Sequence, residues 1–197
     1  MIDFYYDFGS PNAYLVHKVL PDIAARHGAE LAYRPVLLGG VFKATNNQSP
    51  ITAFAGVKGK NAYQALELKR FVERHGLAYR MNPHFPVNTL IMMRGAIFAE
   101  GQPWETTYRE AMFDAMWRDG EKMDDPATLM GVLAAAGLPA DEIADGVQQD
   151  IVKQGLIAAT EAAVARGVFG APTMFLGDEM FFGKDALGDL DWRLSTR

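Results

Sequence analysis

The residue best placed for chemistry is Ser10, in the run Gly9-Ser10-Pro11-Asn12. It sits where an aromatic, β-rich stretch, Ile2 to Phe8, gives way to an apolar helical pattern opening at Tyr14 and Leu15. Proline suits the first turn of a helix and serine the cap before it. Free amides and the macrodipole at a helix start favour a nearby anion, and a cap hydroxyl can itself donate a hydrogen bond to one. Taken on its own, Ser10 reads first as a cap worth about 1 kcal/mol of stability. The second such residue is Pro172, in Val168 to Leu176. A proline at a strand start is ordinarily trans and structural, and a cis bond is kept where that geometry is needed. The chain has no cysteine. It therefore has no disulfide, no thiolate nucleophile and no thiolate metal site of its own, and sulfur chemistry here requires a borrowed thiol.

These residues need a frame. The first helix is expected from about Pro11 to His27, stopped by Gly28. Ala29 to Val36 then alternates as a strand beside the first, which implies a right-handed parallel crossover. Leu37 to Pro50, with Gly39, Gly40, Asn46, Asn47, Ser49 and Pro50, is expected to be a loop. From about Ala53 to Arg166 the signals are helical almost throughout. Tyr63, Leu66, Leu68, Phe71 and Val72 share one face, and further helices open at Asp125-Pro126 and Leu138-Pro139. The run through Phe175, closed by Gly177-Asp178 and followed by a second apolar run, predicts a hairpin, with another helix starting at Lys184-Asp185.

Three segments carry a family resemblance: DFGSPNAYL from Asp7, LLGGVFKATNN from Leu37, and GVFGAPTMFLGDEMFFGKD from Gly167. In this order, and through the length of the chain, they resemble the 2-hydroxychromene-2-carboxylate isomerases, glutathione-dependent relatives of the kappa-class glutathione transferases in the DsbA-like group. The resemblance implies an α/β, thioredoxin-like fold, with a frame of about residues 1–50 and 167–197 and a large helical insertion at about 51–166 in one domain. It also implies a cis peptide before Pro172, facing Ser10. Glutathione is the implied cofactor, activated by Ser10 as the catalytic residue and bound by Lys43, Asn46, Asn47, Ala171, Pro172, Lys184 and Asp185. Asn88 is the implied contact to a small aromatic substrate, and Trp117 reads equally as core packing or as a wall of a pocket for that substrate. Where the family pattern has an arginine after Asp185, this chain has Ala186.

The implied reaction converts 2-hydroxychromene-2-carboxylate to trans-o-hydroxybenzylidenepyruvate in naphthalene-type aromatic catabolism, by thiolate addition and elimination. A kappa-like transferase or peroxidase would use the same Ser10 and glutathione. A redox-dead binding module would use neither. A cytoplasmic homodimer is the implied setting.

Composition excludes other classes. A net charge of -5, with basic residues scattered singly, argues against nucleic acid. No apolar run approaches the ~20 residues that span a bilayer, so no membrane role is expected. His17, His27, His75 and His84 are too dispersed for a metal site. The first three are expected at helix surfaces or ends. The methionines from Met92 to Met130 are expected to be adaptable core packing.

Overall fold

The computed structural model describes residues 1–196. Four strands form one sheet in the order β2-β1-β3-β4: β1 Ile2–Tyr6, β2 Leu31–Pro35, β3 Thr173–Leu176 and β4 Glu179–Phe182. β1 runs parallel to β2, with Tyr6 opposite Pro35, and antiparallel to β3, with Phe4 opposite Met174. The sheet therefore joins the two ends of the chain. Gly177 turns the hairpin at φ 67°, a left-handed conformation that glycine takes without steric cost.

β1 is buried on both faces, and its alternation sorts two cores. Phe4, Tyr6 and Phe8 point into the larger one, with Leu15, Leu20, Met112, Phe113 and Trp117. Tyr5 points the other way, into a smaller cluster with Val36, Val41, Ala163, Val168 and Phe175. The helix α1, Pro11–Arg26, begins at Ser10, whose hydroxyl accepts from the Ala13 amide, and ends as expected before Gly28.

The segment expected to be a loop after β2 is mostly helix: α2 spans Leu38–Thr45, and only residues 46–49 connect it onward to α3, Pro50–Ala53. Gly39 and Gly40 misled the sequence reading because their low helix propensity is overridden by packing. A Cβ on Gly40 would lie 3.2 Å from Thr160, so the glycine lets α2 approach its neighbour closely. That neighbour is α9, Asp150–Ala165, and its Thr160 hydroxyl also accepts from the Leu37 amide at 3.0 Å.

Between α3 and α9 lie α4 Lys60–His75, α5 Leu90–Ala99, α6 Glu105–Asp114, α7 Pro126–Ala135 and α8 Ala140–Gly146. Helices thus fill most of the stretch where helical signals prevailed. α4 departs from its expected apolar face: Phe71 is buried, while Tyr63 and Leu66 are exposed. Met92, Met93, Met112, Met116 and Met123 are buried, as their expected packing role requires.

His17 departs from expectation too. It is 2% exposed, stacks on Phe113 at 4.7 Å, and bridges Tyr33 Oη at 2.9 Å and Glu110 Oε1 at 2.9 Å. Burial lowers its pKa, against the opposing pull of the Glu110 carboxylate.

Candidate functional site

The turn Asp7-Phe8-Gly9-Ser10 leaves the end of β1 and delivers Ser10 to the start of α1. Its conformation is local in origin. The Asp7 carbonyl accepts from the Ser10 amide at 3.0 Å, and its carboxylate accepts from the Gly9 amide at 2.8 Å. An aspartate that holds the backbone two residues on is a familiar turn former, so this signal was present in the sequence.

Distant residues fix the turn further. The Phe8 carbonyl accepts from the Trp117 indole at 2.6 Å, and the Phe8 amide meets Met93 Sδ at 3.4 Å. Trp117 lies in a five-residue π-helical turn, Ala115–Asp119, that widens the end of α6, a distortion frequent at functional sites.

Ser10 is 5% exposed. Its hydroxyl accepts from Ala13 and donates to the Ala171 carbonyl at 2.9 Å, across the sheet. Ala171-Pro172 is a cis peptide, as expected from the resemblance, and Phe85-Pro86 is a second one. The cap and the cis-proline loop are therefore one contact.

Of the other expected binding residues, Asn47 is tied to that loop directly and Lys184-Asp185 through the neighbouring Gly183. The Asn47 amide group donates to the Phe169 carbonyl at 2.8 Å. Phe42 of α2 comes to 4.0 Å from the position of a Cβ on Gly170. Asn46 caps α2 in the left-handed region at φ 52°, and Lys43 is exposed in the last turn of the same helix. On the other side, the Gly183 amide donates to the Pro172 carbonyl at 2.9 Å, which brings Lys184 and Asp185 alongside.

Lys184, expected to bind the cofactor, already has a partner. Its ammonium is buried, lies over the Phe71 ring and pairs with Asp185 at 2.5 Å, whereas the Asp185 side chain is 76% exposed. Lys184–Ala186 form a single 3-10 turn before α10, Leu187–Ser195, so this helix start is short.

The two expected substrate contacts separate. Asn88 is exposed, and its side-chain oxygen accepts from the Leu90 amide at 3.0 Å at the start of α5. Its neighbour Thr89 packs against Gly9, with its methyl 3.0 Å from where a Cβ would sit, so Asn88 belongs to the rim of the Ser10 turn. Trp117 corrects the expectation. It is 0% exposed, stacked against Tyr79, and its one donor is spent on Phe8, so it supports the turn from beneath and cannot line an open wall.

Sequence reasoning also missed Asp7, Thr89, Met93 and Phe169. Only Asp7 had a local signal; the others act at sequence distances that spacing cannot reveal. Two surface grooves, of about 310 and 450 Å³, include none of Ser10, Ala171 and Pro172. No helix among the described residues is long and apolar enough to cross a membrane, and no cluster of metal-ligating side chains occurs among them.

A sheet ending in a helix cap that meets a cis-proline loop, with a run of helices between the second and third strands in chain order, defines a thioredoxin-like domain of the DsbA type. The chain belongs to the DSBA-like thioredoxin domain family, whose model matches residues 1–195, and within it to the family of the 2-hydroxychromene-2-carboxylate isomerases. It is 31% identical to the 2-hydroxychromene-2-carboxylate isomerase of Sphingobium xenophagum, over 96% of this chain and 95% of that one. A solved structure of a 2-hydroxychromene-2-carboxylate isomerase superposes with a TM-score of 0.86 at 28% identity, covering 99% of this chain and 94% of the other. The human glutathione S-transferase kappa 1 is 27% identical over 94% of this chain and 87% of its own.

Proposed function

We propose that the chain is a glutathione-dependent isomerase that converts 2-hydroxychromene-2-carboxylate to trans-o-hydroxybenzylidenepyruvate. The observation that carries this reading is the Ser10 hydroxyl, set at the start of α1 and donated to the carbonyl before a cis-proline, in a chain without cysteine. The relatives' names supply the reaction class.

The residues fit glutathione. Ala171 presents a carbonyl that Ser10 now occupies, and a peptide lying as an added strand can offer an amide to it. The hydroxyl would then be free to donate to a sulfur held there. A thiolate is a charged acceptor and out-competes a neutral carbonyl for the same donor. The α1 amides add their dipole to the same point. Lys43, Asn46 and Asn47, gathered at the end of α2, supply a cation and amide donors for carboxylates, and Asp185 offers a carboxylate for an ammonium group. When bound, glutathione would supply a thiolate nucleophile for reversible addition to the conjugated enone of the opened substrate, chemistry with no net oxidation. Ser10 holds its donor toward the sulfur, and Asn88 stands at the rim where substrate enters.

The architecture fits one domain in which the helices of residues 51–166 are inserted into the frame of residues 1–50 and 167–197. The same reading places the enzyme in the cytoplasm as a homodimer.

The test is a calorimetric titration with glutathione, followed by an absorbance assay of the isomerisation with and without it. Binding and glutathione-dependent turnover are expected. Absence of binding would leave a redox-dead module. Binding with turnover only of halides or peroxides would instead favour the kappa-type activity, for which the human relative is the specific support.

A further inference from the structure

Asp7 is 1% exposed and carries an acid that the proposed chemistry does not use. Its two carboxylate oxygens are divided between two elements. Oδ1 accepts from the Gly9 amide at 2.8 Å, in the turn that presents Ser10. Oδ2 accepts from the Leu38 amide at 2.7 Å, the first residue of α2. The Thr89 side chain, at the start of α5, packs beside the same turn, and its hydroxyl pulls the Asp7 carboxyl downward more weakly than the two amides. One side chain thus touches the start of the thiol-facing turn, the start of the helix that ends in Lys43, Asn46 and Asn47, and the residue beside Asn88.

Helix α2 needs such a tether. Leu37, before its first turn, offers no capping side chain, so the orphan amides at this start depend on outside acceptors. Asp7 satisfies the first, and Asn47 at the far end of α2 is tied to Phe169. The wall is fixed at both ends, once to the turn below Ser10 and once to the loop carrying Pro172.

Burial pushes the Asp7 carboxyl above its ordinary range, against the pull of the two amides and the hydroxyl. A carboxyl whose interior position costs so much solvation persists where its hydrogen bonds are needed.

We infer that Asp7 is a positioning residue for glutathione: it couples the turn that faces the sulfur to the α2 wall that faces the carboxylates. This rests on the glutathione reading above.

The direct variant is Asp7→Asn. Its single amide oxygen can serve one backbone amide, and its NH2 group then opposes the other, so one tether is lost without a change of shape. The second pair is Thr89→Val and Thr89→Ser. Thr89 makes no side-chain cap on α5, so valine removes the contact to Asp7 without uncapping that helix, and serine keeps it.

Three quantities are measured on the full chain: circular dichroism for folding, the dissociation constant of glutathione by calorimetry, and turnover at saturating glutathione. Asp7→Asn is expected to fold, to weaken glutathione binding at least about fivefold, and to lower saturated turnover as well. Thr89→Val should shift both in the same direction by a smaller factor, and Thr89→Ser should restore them. A folded Asp7→Asn with native affinity and turnover overturns the inference and leaves Asp7 a fold residue. Where Asp7→Asn does not fold, the threonine pair decides: equal affinity in Thr89→Val and Thr89→Ser overturns it. A native chain with no glutathione affinity sinks the functional reading itself, a result distinct from native binding that the variants retain.

Discussion

Two helices in this chain start with the same chemistry and end up in different situations. Ser10-Pro11 opens α1 and Asp125-Pro126 opens α7; each has proline in its first turn and a side-chain oxygen that accepts from the amide three residues on. Asp125 stops there. Its second partner is the hydroxyl of the same Thr128 at 2.9 Å, and its pKa is lowered by those local bonds. Ser10 is buried, and its hydroxyl also reaches Ala171, 161 residues away in sequence. Cap chemistry alone is therefore no sign of function. The sign is a capping group with a donor left over, held against a loop from the opposite end of the chain.

The largest effect that follows is on Ser10. Ser10→Ala should lower turnover roughly ten- to over a hundredfold, the equivalent of a ~1.5–3 kcal/mol hydrogen bond to a charged sulfur, while glutathione binding changes far less. Steady-state kinetics set beside calorimetry separate the two. Equal losses in both would make Ser10 a binding residue only.

Trp117 sharpens the comparison from beneath, since nothing comparable supports Asp125. Trp117→Phe leaves the buried Phe8 carbonyl without its donor, at a cost of ~1–3 kcal/mol in chemical denaturation, with a fall in turnover as the Ser10 turn loosens. Unchanged stability would mean that this hydrogen bond holds nothing.

Further along α1, acid exposes another anchor. Glu110 of α6 is held down to about 2 from 4.5, first by its hydrogen bond with His17, then by Lys18. Its folded pKa is depressed, so the stability it contributes is present above about pH 4.5 and is lost as pH falls toward 2. Melts across that window should steepen in the native chain and flatten in Glu110→Gln. The benefit is modest because the Glu110 side chain is 44% exposed.

The smallest effect is on Asp125. Asp125→Ala should lower the melting temperature slightly and leave turnover untouched. A large loss of turnover would erase the contrast between the two caps.

Much of this was legible beforehand because local rules agree with the fold. Ser10, Pro11, the Gly177 turn and the Asp125 start all obey short-range backbone preferences, and the element starts and turns at those positions followed from them. The family pattern added the cis peptide at Pro172. Failures arose where tertiary contacts decide. Gly39 and Gly40 looked like a loop because their propensity is local, whereas the close approach to Thr160 that favours helix is not. Trp117 read equally as core or pocket aromatic because nothing in its surroundings records that its indole is committed to Phe8. Lys184 was expected to bind a cofactor, and its pairing with the residue beside it was not read. Asp7 alone was readable and unread: an aspartate two residues before a glycine is turn chemistry, though its second bond, to Leu38, is again long-range.

The central claim is that the Ser10 hydroxyl favours thiolate over thiol in a borrowed sulfur. The most direct measurement is thiolate absorbance against pH, with glutathione bound to the native chain and to Ser10→Ala. A free thiol titrates near pKa ~8.5. The native complex should titrate well below that, the variant closer to it, and raising the assay pH should recover part of the variant's turnover. Superimposable titration curves together with equal turnover would contradict the claim and return Ser10 to the role that Asp125 plays, a cap and nothing more.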